Sequence, residues 1–155
     1  MRSIAAKLFV VLAITAIGVF AADSSLGTWK LNAEESKSTS PNPTKSQTDV
    51  REATPDGGVT VKRTGQLADG TSVNYSYTYK YDGKEYPVTG ASFDTISVTR
   101  IDENTTSFEV RKTGGMYHAA GRNVISKDGK TMTQNATGTD GEGKPVTSTV
   151  VFDRQ

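Results

Sequence analysis

Residues 56–83 read DGGVTVKRTGQLADGTSVNYSYTYKYDG, two stretches of alternating polar and apolar side chains bounded by Asp-Gly dipeptides. Asp-Gly readily adopts the positive φ angles of a two-residue β-turn, so this pattern is the strongest short-range signal for a β-hairpin. The dipeptide occurs five times in the chain, at Asp56-Gly57, Asp69-Gly70, Asp82-Gly83, Asp128-Gly129 and Asp140-Gly141. The sequence therefore predicts an antiparallel meander.

The alternation continues on both sides of this segment and predicts about ten strands. They span Leu26–Leu31, Ser46–Thr54, Val59–Leu67, Thr71–Tyr81, Glu85–Val88, Asp94–Asp102, Thr105–Thr113, Met116–Ser126, Lys130–Gly138 and Val146–Asp153. One helical turn, with Asn32 as N-cap and Glu35 reaching back, is predicted after the first strand. Hairpin-linked strands leave two exposed edges unless the sheet closes. We therefore predict an all-β fold, a single antiparallel up-and-down β-barrel of about 8–10 strands.

The N-terminal residues have the pattern of a secretory signal peptide. Arg2 and Lys7 precede the apolar run Leu8–Phe20, and Val19-Phe20-Ala21 fits the small-residue rule for cleavage before Ala22. The run is short for a bilayer span, which needs about 20 residues, although an uncleaved membrane anchor is the alternative. We predict a signal peptide over 1–21, one mature domain over 22–155, and a secreted or periplasmic protein without stable membrane insertion after cleavage.

Composition excludes several classes of partner and chemistry. The formal charge is +1 and becomes −1 without the leader, which predicts no binding to nucleic acid because a basic footprint is missing. The chain has no cysteine, so an exported domain would rely on its core and backbone hydrogen bonds. His118 is the only histidine, and no nucleophile motif or cluster of carboxylates accompanies it. We predict no catalytic residues, no metal and no cofactor.

Strand periodicity places several polar and aromatic side chains on apolar faces, where they would point into the barrel. These candidate ligand-binding residues are Arg63, Tyr75, Tyr77, Tyr79, His118 and Arg122. They could form a lumen in which arginines and Tyr hydroxyls receive an anionic, amphipathic ligand. Alternatively, the arginine heads reach solvent at strand ends and the tyrosines are ordinary core. Arg122 lies in mid-strand and is the arginine most expected to be internal, with Trp29 as a stacking partner.

The opening strand carries a family signature. Gly27-Thr28-Trp29-Lys30-Leu31 resembles the Gly-x-Trp start of the lipocalins and the first strand of the fatty-acid-binding proteins, both in the calycin group. The resemblance implies a barrel plugged at its closed end by Trp29, after Gly27, with a lumen for a small, mostly apolar molecule. Fatty-acid-binding proteins also have two short lid helices after this strand, for which the Pro-containing stretch 32–46 is too short. Their carboxylate-binding Arg-x-Tyr pair corresponds here to Val150 and Phe152.

The sequence thus favours an exported, non-enzymatic protein that encloses a small hydrophobic or anionic amphipathic ligand. The alternative is a structural or protein-interaction module, an inhibitor or envelope factor, that acts through loops such as Ser38–Pro43 and Asp140–Lys144 around a filled core. No protein partner is indicated.

Overall fold

The computed structural model describes residues 23–155, so the predicted leader lies outside the described residues. Ten strands follow one another: β1 Gly27–Ser38, β2 Thr44–Ala53, β3 Val59–Leu67, β4 Ser72–Tyr79, β5 Asp82–Pro87, β6 Thr95–Arg100, β7 Thr105–Arg111, β8 His118–Ile125, β9 Thr131–Thr139 and β10 Pro145–Arg154. A search of residues 23–155 for a helix with the length and hydropathy of a membrane span finds none.

The ten strands form one antiparallel sheet in the order β4-β3-β2-β1-β10-β9-β8-β7-β6-β5. Strands that are consecutive in sequence pair with each other, except β4 and β5, and β1 also pairs with β10. The two ends of the sheet, β4 and β5, lie side by side without joining in the ladder. The sheet therefore curls into a nearly closed barrel, and the prediction of an all-β, antiparallel up-and-down barrel is confirmed.

Strand β1 is longer than predicted because a wide bulge replaces the predicted helical turn. Asn32 pairs with Val151 and Lys37 with Thr149, so the intervening residues of β1 lie against a single residue of β10. The Asn32 side chain accepts a hydrogen bond from the Glu35 N–H at 3.2 Å, as an N-cap would. Ser36 Oγ, however, accepts the Val151 N–H at 2.9 Å and keeps the segment in the sheet. The predicted helix is therefore wrong.

The barrel interior holds two clusters of buried side chains. The larger consists of Val59, Val61, Tyr77, Tyr79, Val88, Phe93, Ile96, Val98 and Val110. The smaller, at the end of the barrel where β1 begins, consists of Trp29, Ile125, Met132 and Phe152. Burying an apolar side chain of this size contributes about 1.5–3 kcal/mol, so the two clusters stabilise the curled sheet.

Strands β8 and β9 approach each other unusually closely at two glycines. A Cβ added to Gly121 would overlap the carbonyl oxygen of Asn135, and one added to Gly138 would overlap that of His118. Glycine within a strand commonly marks such a close approach of two backbones. No other residue type fits these two positions without a shift of the neighbouring strand.

Candidate functional site

A charged cluster lies on the inner face of the barrel, where β2 pairs with β3. Asp49 is fully buried and is the register partner of Arg63 on one side and of Trp29 on the other. Arg63 donates two hydrogen bonds to it, from Nε to Oδ1 at 2.8 Å and from Nη2 to Oδ2 at 2.7 Å. Gln47 Nε2 adds a third, to Oδ1 at 3.0 Å. This bidentate geometry is the strongest form of arginine–carboxylate pairing.

A second buried arginine leaves the cluster with an excess positive charge. Arg51 is only 5% exposed, and its Nη2 lies 3.6 Å from Asp49 Oδ2. Its Nε has no hydrogen-bond partner, the one buried side-chain polar atom so placed in residues 23–155. Two guanidinium groups therefore share one carboxylate.

The protonation states of the neighbouring groups preserve this imbalance. Burial alone would raise the pKa of Asp49, but the charge and hydrogen bonds of Arg63, the charge of Arg51 and the Gln47 hydrogen bond outweigh it and lower the pKa. Burial raises the pKa values of Tyr77 and Tyr79, so both phenols stay neutral at pH 7. Neither tyrosine compensates the second arginine.

The space beside Arg51 is small. A cavity of about 10 Å³ lies between Arg51, Arg100, Asn123 and Met132, among other residues. Such a volume holds about one water molecule and no organic ligand. The cavity beside Arg51 therefore has no room for an organic ligand.

Aromatic rings cover the other side of the charged cluster. Phe93 lies in the 88–94 connection between β5 and β6, and its ring packs edge-on against Tyr75, with centroids 6.0 Å apart, and face-on against Tyr117 at 6.1 Å. Tyr75 is joined to the cluster because its hydroxyl accepts a hydrogen bond from Arg63 Nη1 at 3.2 Å. Tyr75 and Tyr117 are half-buried, whereas Phe93 is buried. We call Tyr75, Phe93 and Tyr117 the aromatic cover.

The opposite end of the barrel is closed around Trp29. This side chain is fully buried and its Nε1 donates to the carbonyl of Ser25 at 2.8 Å. The guanidinium of Arg154 lies 4.1 Å from the centre of the indole and donates to the carbonyls of Ser24 and Leu26. Stacking of Arg122 on Trp29 was the wrong expectation, because Arg154 occupies that face.

Arg100 also points inward, but it is neutralised at the closed end. Its Nη2 donates to Asp23 at 2.7 Å and its guanidinium lies 3.9 Å from the ring centre of Tyr81. The Tyr81 hydroxyl donates to the same carboxylate at 2.6 Å. Burial opposes ionisation of Asp23, but the hydrogen bonds from Tyr81 and Ser25 and the charge of Arg100 lower its pKa overall. This pair therefore adds no net charge to the interior.

Four of the six candidate ligand-binding residues face the interior and two do not. Arg63, Tyr75 and Tyr77 lie on the inner face, as does Tyr79, which packs beside Tyr77 with centroids 6.1 Å apart. His118 and Arg122 point outward, so their predicted inward placement is wrong. His118 Nε2 lies 3.0 Å from Glu109 on the outer surface, and Arg122 is exposed.

The error in β8 has a physical cause. The apolar residues Met116, Ala120 and Val124 suggested the inner face, yet Met116 lies in a turn and Val124 is 42% exposed. The inner face carries Ala119 and Ile125, and between them Gly121, opposite Phe108, and Asn123, whose amide is held by Gln134 and Thr106. At Gly121 the close approach of two backbones requires glycine, and at Asn123 hydrogen bonding favours an amide. An alternation of apolar residues reveals neither requirement.

Asp49 and Arg51 were not predicted as site residues. In β2 the alternate set Gln47, Asp49 and Arg51 faces inward and is polar, whereas Val50 faces outward, so an apolar-face rule selects the wrong side. The strand register could have identified Asp49 from the sequence, because the hairpin around Asp56-Gly57 sets Asp49 opposite Arg63. No group of three or more His, Cys, Asp or Glu able to hold a metal ion occurs in residues 23–155.

No protein-family model matches the sequence, and comparison with curated proteins gives no match. Solved structures do match in fold. The crystal structure of wild-type fluorescent protein UnaG has a TM-score of 0.56 at 12% identity, over 87% of this chain and 100% of that one. The structure of EF1p2_mFAP2b bound to DFHBI has a TM-score of 0.51 at 13% identity, over 87% and 97% of the two chains. With its ten-stranded antiparallel barrel and buried Trp29, the chain has a calycin-like fold.

Proposed function

We propose that this protein is an exported, non-enzymatic carrier that binds a small amphipathic anion inside the barrel. The single observation that carries the proposal is the excess positive charge of the Arg63–Asp49–Arg51 cluster. An uncompensated buried charge is costly, and an anionic group of a ligand would remove that cost on binding. The apolar part of the ligand would contact the aromatic cover.

Binding of this kind requires the aromatic cover to move. The cavity at Arg51 is too small for an organic molecule, so the ligand head would have to reach the cluster past Tyr75 and Phe93. Phe93 belongs to the 88–94 connection, which lies outside the ladder and next to the seam between β4 and β5. Local opening of a connection costs less than opening paired strands.

A titration of the purified mature protein with palmitate, and with hexadecanol as its uncharged counterpart, tests the proposal. Trp29 is the only tryptophan and lies directly opposite Asp49, so its fluorescence reports on the cluster. We expect Arg51→Met to weaken palmitate binding by at least about tenfold, which corresponds to about 1.4 kcal/mol of binding free energy. Hexadecanol binding should be unchanged. The variant retains the bidentate Arg63–Asp49 pair.

Lys62→Met is the matched control, because it removes one positive charge from an exposed side chain. Lys62 lies on the outer face of β3 and pairs with Glu52. This control should bind palmitate as the wild type does. Failure of the wild type to bind either ligand, or equal palmitate affinity in Arg51→Met, would refute the carrier proposal. Export is tested separately, by N-terminal sequencing of the secreted protein, which should begin at Ala22.

A second candidate function is supported by the small volume of the cavity beside Arg51. If the interior is only core, the protein acts as an interaction module through hairpin loops such as 38–43 and 140–144. Purification from the native source separates the two. Co-purified amphipathic molecules in the mass spectrum support the carrier, and a stoichiometric protein partner without them supports the module.

A further inference from the structure

A second concavity of the barrel lies on its outer surface, away from the charged cluster. It has a volume of about 540 Å³ and crosses β8, β9, β10 and β1. The volume is within the range of small-molecule sites, about 300–1,000 Å³. We call it the outer groove. Two of the strands that line it, β8 and β9, approach each other closely at Gly121.

One row of side chains crosses the outer groove and has a basic residue at each end. Successive register partners are Arg122 on β8, Asn135 on β9, Thr149 on β10 and Lys37 on β1. Three strand spacings of about 4.8 Å separate the two basic residues, roughly 14 Å between their Cα atoms. Between them, Thr149 Oγ1 donates to Asn135 Oδ1 at 2.8 Å, which orients the amide group of Asn135, itself an exposed residue that lines the groove.

The neighbouring row is rich in hydroxyl groups. Ala120, Thr137 and Thr147 follow one another across β8, β9 and β10, and Thr39, which comes directly after β1, accepts a hydrogen bond from the Thr147 N–H at 2.9 Å. Neither row contains a carboxylate, and none of the residues that line the groove is acidic. The nearest outward acid on β7, Glu109, is already bound to Arg111 and His118.

Both cations of the groove are available to a ligand. Neither Arg122 nor Lys37 forms an ion pair or side-chain hydrogen bond with any residue of 23–155, and both are exposed. The other outward arginine of this side of the barrel, Arg111, is paired. Two free positive charges at the ends of a row of hydroxyl and amide groups match a ligand with anionic groups and many hydroxyls.

We propose that the outer groove binds an anionic oligosaccharide, with acid groups at Arg122 and Lys37 and sugar hydroxyls on Asn135 and the threonines. An acidic peptide fits less well, because the groove lies on the face of paired strands and offers no free backbone edge for a peptide to join. The site lies on the opposite face of the sheet from Arg63, so it is independent of the carrier function proposed above.

The test is a calorimetric and NMR titration of the mature protein with three tetrasaccharides: a uronate oligomer, a sulfated heparin fragment and neutral maltotetraose. We expect at least one charged oligomer to bind, with affinity that falls as salt rises. Amide shifts should centre on residues 120–122, 135–137 and 147–149. The two charged oligomers distinguish a carboxylate from a sulfate as the recognised group.

The double variant Lys37→Gln/Arg122→Gln should lose at least tenfold in affinity. The control Lys30→Gln/Lys127→Gln removes the same charge from two exposed lysines outside the groove and should bind normally. Thr147→Glu, which adds a carboxylate to the second row, should abolish binding without unfolding the protein, as circular dichroism would show. Absence of binding to both charged oligomers, equal binding of maltotetraose, equal loss in the control, or tighter binding of a poly-Glu peptide would each overturn the proposal.

Discussion

Asp49, which is fully buried, and Arg63, which is 14% exposed, form a bidentate ion pair inside a barrel whose interior is otherwise mainly aromatic and aliphatic. The pair sits between adjacent strands and is directly opposite Trp29 in register. Its energetic role can be separated from that of the extra guanidinium of Arg51 by substitutions that change one charge at a time.

Asp49→Asn should destabilise the fold by about 3–5 kcal/mol. The substitution keeps the shape of the side chain but leaves two guanidinium groups buried without a counter-charge, and breaking a buried pair costs about this much. Urea denaturation followed by circular dichroism measures the change. Glu52→Gln on the same strand, which removes the exposed partner of Lys62, should cost less than about 1 kcal/mol. Equal effects of the two variants would show that the buried pair is not special.

Stability should fall in acid because of the lowered pKa values of Asp49 and Asp23. Both carboxyls have folded-state pKa values below their ordinary value near 4, so the stabilisation is complete above the unfolded pKa and is lost as the pH falls through the folded pKa. The free energy of unfolding should therefore be level from pH 7 to about pH 5 and decline below about pH 4. The decline should be shallower in Asp49→Asn, and an identical profile in variant and wild type would contradict the assignment.

Trp29→Ala should destabilise the protein by about 3–5 kcal/mol, the usual cost of deleting a large buried aromatic side chain. The loss includes the contact with Arg154 and the hydrogen bond to Ser25, which hold the closed end of the barrel. Thermal unfolding followed by circular dichroism checks it, with Trp29→Phe as a milder change that retains a ring. A loss under about 1 kcal/mol would mean that the indole does not close the barrel.

Gly138→Ala should be harmful although it adds a single methyl group. The new Cβ would overlap the backbone of β8 at His118, and relief requires the two strands to separate, at a cost of about 1–3 kcal/mol or more. Gly141→Ala is the matched control, because nothing lies within 4 Å of its Cβ position and its φ is not positive. Chemical denaturation of both variants gives the comparison, and similar stabilities would argue against close packing of β8 and β9.

The sequence predicted the architecture well because turns and period-two alternation are local signals. Four of the five Asp-Gly dipeptides lie between strands that pair, whereas the hairpin predicted at Asp82-Gly83 is wrong because β4 and β5 share no ladder. The alternating tyrosines of β4 predicted the correct inner face for Tyr75, Tyr77 and Tyr79. The site was predicted less well, because it depends on register between strands. Asp49 and Arg51 belong to a buried set of β2 that is entirely polar, and Arg122 belongs to a strand with two apolar residues on each side, Ala119 and Ile125 inward and Ala120 and Val124 outward. Their positions follow from pairing partners distant in sequence.

The seam between β4 and β5 has a consequence for chain connectivity. Every ladder joins strands that are consecutive in sequence except the one between β1 and β10, whereas the consecutive strands β4 and β5 share none. A circular permutant that links Gln155 to Asp23 and is cut near Tyr81 would convert the barrel into a meander in which all strand pairs are local. Because folding rates rise as contacts become more local, such a rearranged chain should fold faster than the natural one.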